Sequence, residues 1–106
     1  MINNNSCMKE NILEELKKYE FIGKIKSLPF VKELWLYGSR ARGDNKDKSD
    51  IDLAVIFNKD ILDTEWYEIL DIVDNRDTLL GVDCVRFDKI SNDDFRKNIL
   101  NDKIVL

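Results

Sequence analysis

Histidine is absent from all 106 residues. That absence excludes Ser-His-Asp and Cys-His catalysis, and with them the usual zinc sites that mix histidine with cysteine. Cysteine is nearly absent too. Cys7 and Cys84 lie far apart and in different expected elements, so both read as reduced thiols, Cys84 buried and Cys7 loosely held. No apolar stretch approaches the length of a membrane span, and Met1 to Asn5 lack the charged and apolar regions of a signal peptide, so the expected location is the cytoplasm. An excess of positive charge is also missing. The net charge is −4 and the pI near 4.8, without the basic footprint of a protein that grips long nucleic acid by its phosphates. Repeats, linkers and low-complexity tracts are not found.

What remains is the composition of a soluble domain: 43% of residues are hydrophobic, enough for one core, and 36% are charged, enough for a well-solvated surface. The length sets the expectation of a single domain over residues 1–106. After a polar start with Asn5 or Ser6 as a possible cap, Met8, Ile12, Leu16 and Tyr19, then Phe21, Ile22, Ile25 and Leu28, recur at helical spacing. The phase shifts near Glu20-Phe21, so the helix breaks or kinks there, and Pro29 ends it. Val31 to Tyr37 reads as a strand with both faces covered, Leu34 and Leu36 on one and Trp35 and Tyr37 on the other. Asp50 to Phe57 reads as a second strand. Leu62 to about Asn75 follows as a helix with Asp60 or Asp63 as its cap, and Val82 to Phe87 as a third strand with Asp83, Val85 and Phe87 on one face. Ser91 with Asp94 opens a last helix, and Lys103 to Leu106 suits a short edge strand. The expected architecture is α/β, a small mixed sheet with helices packed mainly on one face.

Chemistry gathers between Gly38 and Asp52. An apolar run, Leu34 to Tyr37, stops at Gly38-Ser39, a small and permissive pair where the backbone turns and presents its amides to phosphate. Ser39 is placed to cap a short helical turn through Arg42. Ten residues separate Ser39 from Asp50. Asp50 and Asp52, two apart on a strand, project side by side and repel unless a cation sits between them; a divalent metal is the natural one. Asp83 is a lone carboxylate in an otherwise apolar strand. Either it stands exposed at an edge or it joins Asp50 and Asp52, and the second reading is preferred. Arg40, Arg42, Lys46 and Lys48 supply local positive charge; for the two lysines a solvated loop is the plainer reading, and an arginine here also suits pairing with Asp44 or Asp47. Gly38 and Gly43 have the spacing of a P-loop, but Asp44 stands where that motif needs lysine, and no Gly-x-Gly-x-x-Gly is present.

The wording Gly-Ser-Arg-Ala-Arg-Gly followed by Ser-Asp-Ile-Asp-Leu resembles the signature of the DNA polymerase β-type nucleotidyltransferases. More closely, it resembles the minimal nucleotidyltransferases, small prokaryotic antitoxins that act beside HEPN-domain ribonuclease toxins. The match covers Leu36 to Val55, with Asp83 as the third acidic residue. The resemblance implies a polymerase β-like fold, two Mg²⁺ ions held by Asp50, Asp52 and Asp83, and Gly38 and Ser39 at the terminal phosphates of ATP. It also implies a function: transfer of AMP to a tyrosine of the HEPN toxin, in a hetero-oligomer with that partner. Larger members carry a helical domain for the acceptor, which these 106 residues are too few to include. The alternatives are an antitoxin that neutralises by binding alone and an adenylyltransferase of a small hydroxylated molecule such as an aminoglycoside.

Overall fold

The computed structural model describes residues 4–106, with side chains from residue 11 onward. Two short helices come first, α1 (Asn4–Lys17) and α2 (Glu20–Lys26), broken at Lys18-Tyr19, just ahead of the expected phase shift near Glu20-Phe21. Helix α1 already begins at Asn4, ahead of the expected cap at Asn5 or Ser6. The expectations for the Met8 and Cys7 side chains lie outside the described residues. Next come β1 (Val31–Tyr37), α3 (Gly38–Arg42), β2 (Ile51–Phe57), α4 (Asp63–Asp74), β3 (Val82–Arg86), a 3₁₀ turn (Phe87–Lys89), α5 (Asp93–Asp102) and β4 (Ile104–Val105).

The strands lie in the order β3-β2-β1-β4, with β2-β3 parallel and the other pairs antiparallel. β1 and β2 are rich in β-branched, aromatic and leucine side chains and occupy the centre, where both faces are covered. On one face Leu34, Leu36, Ile51, Leu53 and Val55 pack with Leu16, Phe21, Ile22, Ile25, Ile69 and Val73 from α1, α2 and α4. The second face is smaller. There Trp35, Tyr37 and Ala54 meet Ile99 and Phe95 of α5, with Val85 and Phe87 at the margin. Three helices thus cover one side and α5 part of the other.

Long-range polar contacts fix the corners. Asp77, in the loop before β3, accepts from the Glu20 and Phe21 amides at 2.9 and 3.2 Å and so caps α2 from far along the chain. Three expected caps are corrected. Ser39 lies inside α3, whose N-cap is Tyr37, because the turn already begins at Gly38. Neither Asp60 nor Asp63 caps α4: the N-cap is Leu62, and its amide donates to Glu65 at 2.9 Å. In α5 the cap is Asn92, not Ser91, accepting from the Phe95 amide at 2.9 Å.

Candidate active site

The sheet register determines which acidic residues meet. Asp52 stands opposite Tyr37 on β1 and opposite Asp83 on β3, so the three side chains share one face at the end of the sheet. Tyr37 is buried and Asp83 exposed, while Asp52 lies between them in burial. Below them the face is closed by aromatic packing, Tyr37 edge-on to Phe95 with centroids 5.8 Å apart and Trp35 edge-on to Phe87 at 5.0 Å. The carboxylates therefore occupy the open rim of a filled face.

Asp50 departs from expectation. It is not a strand residue: β2 begins at Ile51, whose amide donates to the Gly81 carbonyl at 2.9 Å, and Asp50 is exposed just ahead of the ladder. Two glycines make room for the carboxylates. At Gly38 a β-carbon would collide with Asp52 Oδ2, and at Gly81 with Asp50 Oδ1. Gly38 also has φ +76°, the left-handed region that admits glycine at little cost. Its part in the turn was legible, whereas Gly81 gave no local signal.

Electrostatics around Asp52 are unfavourable to its charged form. Burial raises its pKa, then Asp83 and Asp50 raise it further, with smaller opposing effects from Arg42 and Arg40. The same field reaches its neighbours. Burial and then Asp83 and Asp52 push the Tyr37 hydroxyl well above its ordinary value, and burial with Asp83 pushes the Cys84 thiol up to about 12. Cys84 is thus an inert thiol on the covered face.

Neither nearby arginine neutralises this charge by direct contact. Arg42 binds Asp44 at 3.0 Å and Asp102 at 2.9 Å, while buried Arg40 turns away to the carbonyls of Asp47 and Ser49. The five ion pairs among the described residues leave out Asp50, Asp52 and Asp83. Three hard oxygen donors without a cation of their own suit a divalent ion such as Mg²⁺. Among the described residues they are not gathered into a three-ligand cage. Beside Gly81 a cavity of about 340 Å³ opens between Lys48 and Thr78 to Leu80, with Leu79 fully exposed at its wall. A larger hollow of about 390 Å³, lined by Asn58, Lys59 and Asp88 among others, lies at the other end of β2, away from Asp50, Asp52 and Asp83.

The family described as polymerase beta, nucleotidyltransferase, matches residues 10–106. The chain belongs to this family and is a nucleotidyltransferase. A Methanocaldococcus jannaschii protein assigned as a protein adenylyltransferase is 35% identical over 95 residues, covering 88% of this chain and 92% of that one. Solved structures share the fold at lower identity. A toxin-antitoxin crystallised with AMP-PNP has a TM-score of 0.61 at 19% identity, covering 81% of this chain and 69% of that one. An assigned nucleotidyltransferase of Sulfolobus solfataricus has 0.54 at 24%, covering 99% and 87%. The toxin-antitoxin MntA-HpeT has 0.55 at 19%, covering 100% and 72%.

Proposed function

We propose that this protein transfers AMP from ATP to a tyrosine hydroxyl of a partner HEPN-domain ribonuclease, and so serves in the cytoplasm as the antitoxin of a toxin-antitoxin pair. The observation that carries the reading is the group of uncompensated carboxylates, Asp52 in register with Asp83 and lodged against Gly38 of the phosphate turn. Gly38 and Ser39 bind the terminal phosphates of ATP. Asp50, Asp52 and Asp83 hold Mg²⁺. Bound Mg²⁺ supplies Lewis acidity, lowering the pKa of the acceptor hydroxyl and offsetting charge on the leaving pyrophosphate. A tyrosine hydroxyl has an unperturbed pKa of about 10, so at neutral pH it needs a proton acceptor before it attacks. Asp83, exposed at the rim and in register with Asp52, takes that proton. The tyrosine oxygen then bonds to the α-phosphorus as the bond to pyrophosphate breaks.

The relative's assignment as a protein adenylyltransferase supports a protein acceptor, and the toxin-antitoxin neighbours support the kind of partner. Retention of three mutually repelling carboxylates favours catalysis over neutralisation by binding alone. The test is incubation of the purified partner with this protein, ATP and Mg²⁺, followed by mass spectrometry. AMP should appear on a partner tyrosine, and Asp50→Asn combined with Asp52→Asn should abolish it. Full neutralisation by the double variant, with no modified partner at any time, would establish the binding-only antitoxin instead.

A further inference from the structure

Arg40 is the one charged side chain that is buried among the described residues, with 6% of its surface exposed. A guanidinium remains ionised in a protein, so its burial has to be offset by hydrogen bonds. Its ion-pair partner, Glu15, is half-exposed and 3.8 Å from Nη1, beyond hydrogen-bond reach. Backbone carbonyls fill the role. Nε and Nη2 donate to the Ser49 carbonyl at 3.1 and 2.8 Å, and Nη2 also donates to the Asp47 carbonyl at 3.1 Å.

The Ser49 carbonyl belongs to the peptide unit that carries the Asp50 nitrogen. That unit is planar, so two donors on its oxygen set the plane from which Asp50 leaves. On the other side of Asp50, the Ile51 amide is tied to Gly81. Asp52 is held by ladder pairing with β1 and β3, which Asp50 lacks. Arg40 also sits in α3, the helix that begins at Gly38, so the phosphate turn and the anchor of Asp50 share one short element.

We propose that Arg40 is a positioning residue for Asp50, setting through the Ser49 carbonyl where that carboxylate stands relative to Asp52. The proposal rests on the reading of Asp50 and Asp52 as Mg²⁺ ligands.

Arg40→Lys keeps the charge but loses the planar fork, and Arg40→Gln keeps a donor without the charge. Both are compared with wild type and Asp50→Asn. The first readout needs no ligand: amide exchange at Ile51 in metal-free protein should quicken in both Arg40 variants while exchange at Leu36 in β1 stays unchanged. The second is Mn²⁺ affinity by electron paramagnetic resonance with AMP-PNP present, expected to fall roughly 10–100-fold, as for loss of groups that orient metal ligands. AMP-PNP affinity without metal should hold. Wild-type exchange and wild-type Mn²⁺ affinity in Arg40→Lys would overturn the proposal. So would a loss of metal-free AMP-PNP affinity with exchange unchanged, which would make Arg40 a phosphate contact. If Asp50→Asn binds Mn²⁺ as wild type does, the metal-ligand reading itself falls. If Asp50→Asn loses Mn²⁺ and the Arg40 variants do not, only the positioning role falls.

Discussion

Gly38 lies directly against the carboxylate of Asp52, close enough that a β-carbon would overlap Oδ2 and stand 3.5 Å from Asp52 Cβ. Alanine at this position also inherits a φ of +76°. Gly38→Ala should therefore cost about 1–3 kcal/mol in urea denaturation. It should also displace Asp52 and abolish AMP transfer. Unchanged stability with full transfer would contradict the close approach.

Gly81→Ala separates the two effects. Its backbone φ is not positive, and the atom its β-carbon would meet is the far end of the exposed Asp50 side chain, which can swing aside. Stability should stay within about 0.5 kcal/mol of wild type. Transfer should fall, because Asp50 no longer rests in its place. An activity assay beside a denaturation curve checks both halves.

Asp52 holds its proton more tightly in the fold than in the unfolded chain, first through burial and then through Asp83 and Asp50. A raised carboxyl pKa leaves stability intact below the unfolded value of about 4 and removes it as pH climbs through the folded one. Metal-free wild type should thus lose stability relative to Asp52→Asn between pH 4 and neutrality, and Mg²⁺ with ATP should reverse the order. Denaturation midpoints of both proteins across this range, with and without Mg²⁺, provide the measurement; a constant difference would count against the argument.

Ile99 is fully buried and belongs to the cluster through which α5 covers Trp35, Tyr37 and Ala54. Ile99→Ala should cost about 2–5 kcal/mol. Hydrogen exchange should show the loosening in α5 before it appears in α4.

Asp77 should matter more than its exposure suggests. Its bond from the Glu20 amide, more than that from Phe21, holds its pKa below the usual carboxylate range. A depressed pKa means that its contribution is present above the ordinary value and fades as pH falls. Asp77→Ala should lower the melting temperature at pH 7 and have little effect near pH 2.

Alternation along β1 and β3 placed Leu36 and Trp35 on opposite faces, and Asp83 with Val85, because a half-buried strand repeats every two residues; Phe87, expected to end the third strand, opens the 3₁₀ turn instead. A break between α1 and α2 was readable as a change of phase, though it falls at Lys18-Tyr19 rather than at Glu20-Phe21. The caps were less so: Ser91 and Asn92 are adjacent and both suit an N-cap, and it is Asn92 that accepts from the Phe95 amide. The Arg40 bonds to Ser49 and Asp47 and the Asp77 cap on α2 depend on how distant or looping segments meet, which no periodicity records. Asp50 reads as a strand residue because it precedes an apolar run, but its backbone stops short of the ladder.

The parallel pairing of β2 with β3 has a consequence for the order in which the site comes into being. β1 and β2 pair antiparallel across α3 and a short loop, whereas Asp83 reaches Asp52 only after α4 has crossed over and docked. Loop closure makes the local pairing the less demanding step and the crossover the later one. A chain that has formed only the β1-β2 pair carries the Gly38 turn and Asp52 but not Asp83. The carboxylate group is therefore complete only in a chain whose edge pairing, β2 with β3, has formed, so a partly folded protein without it lacks one member.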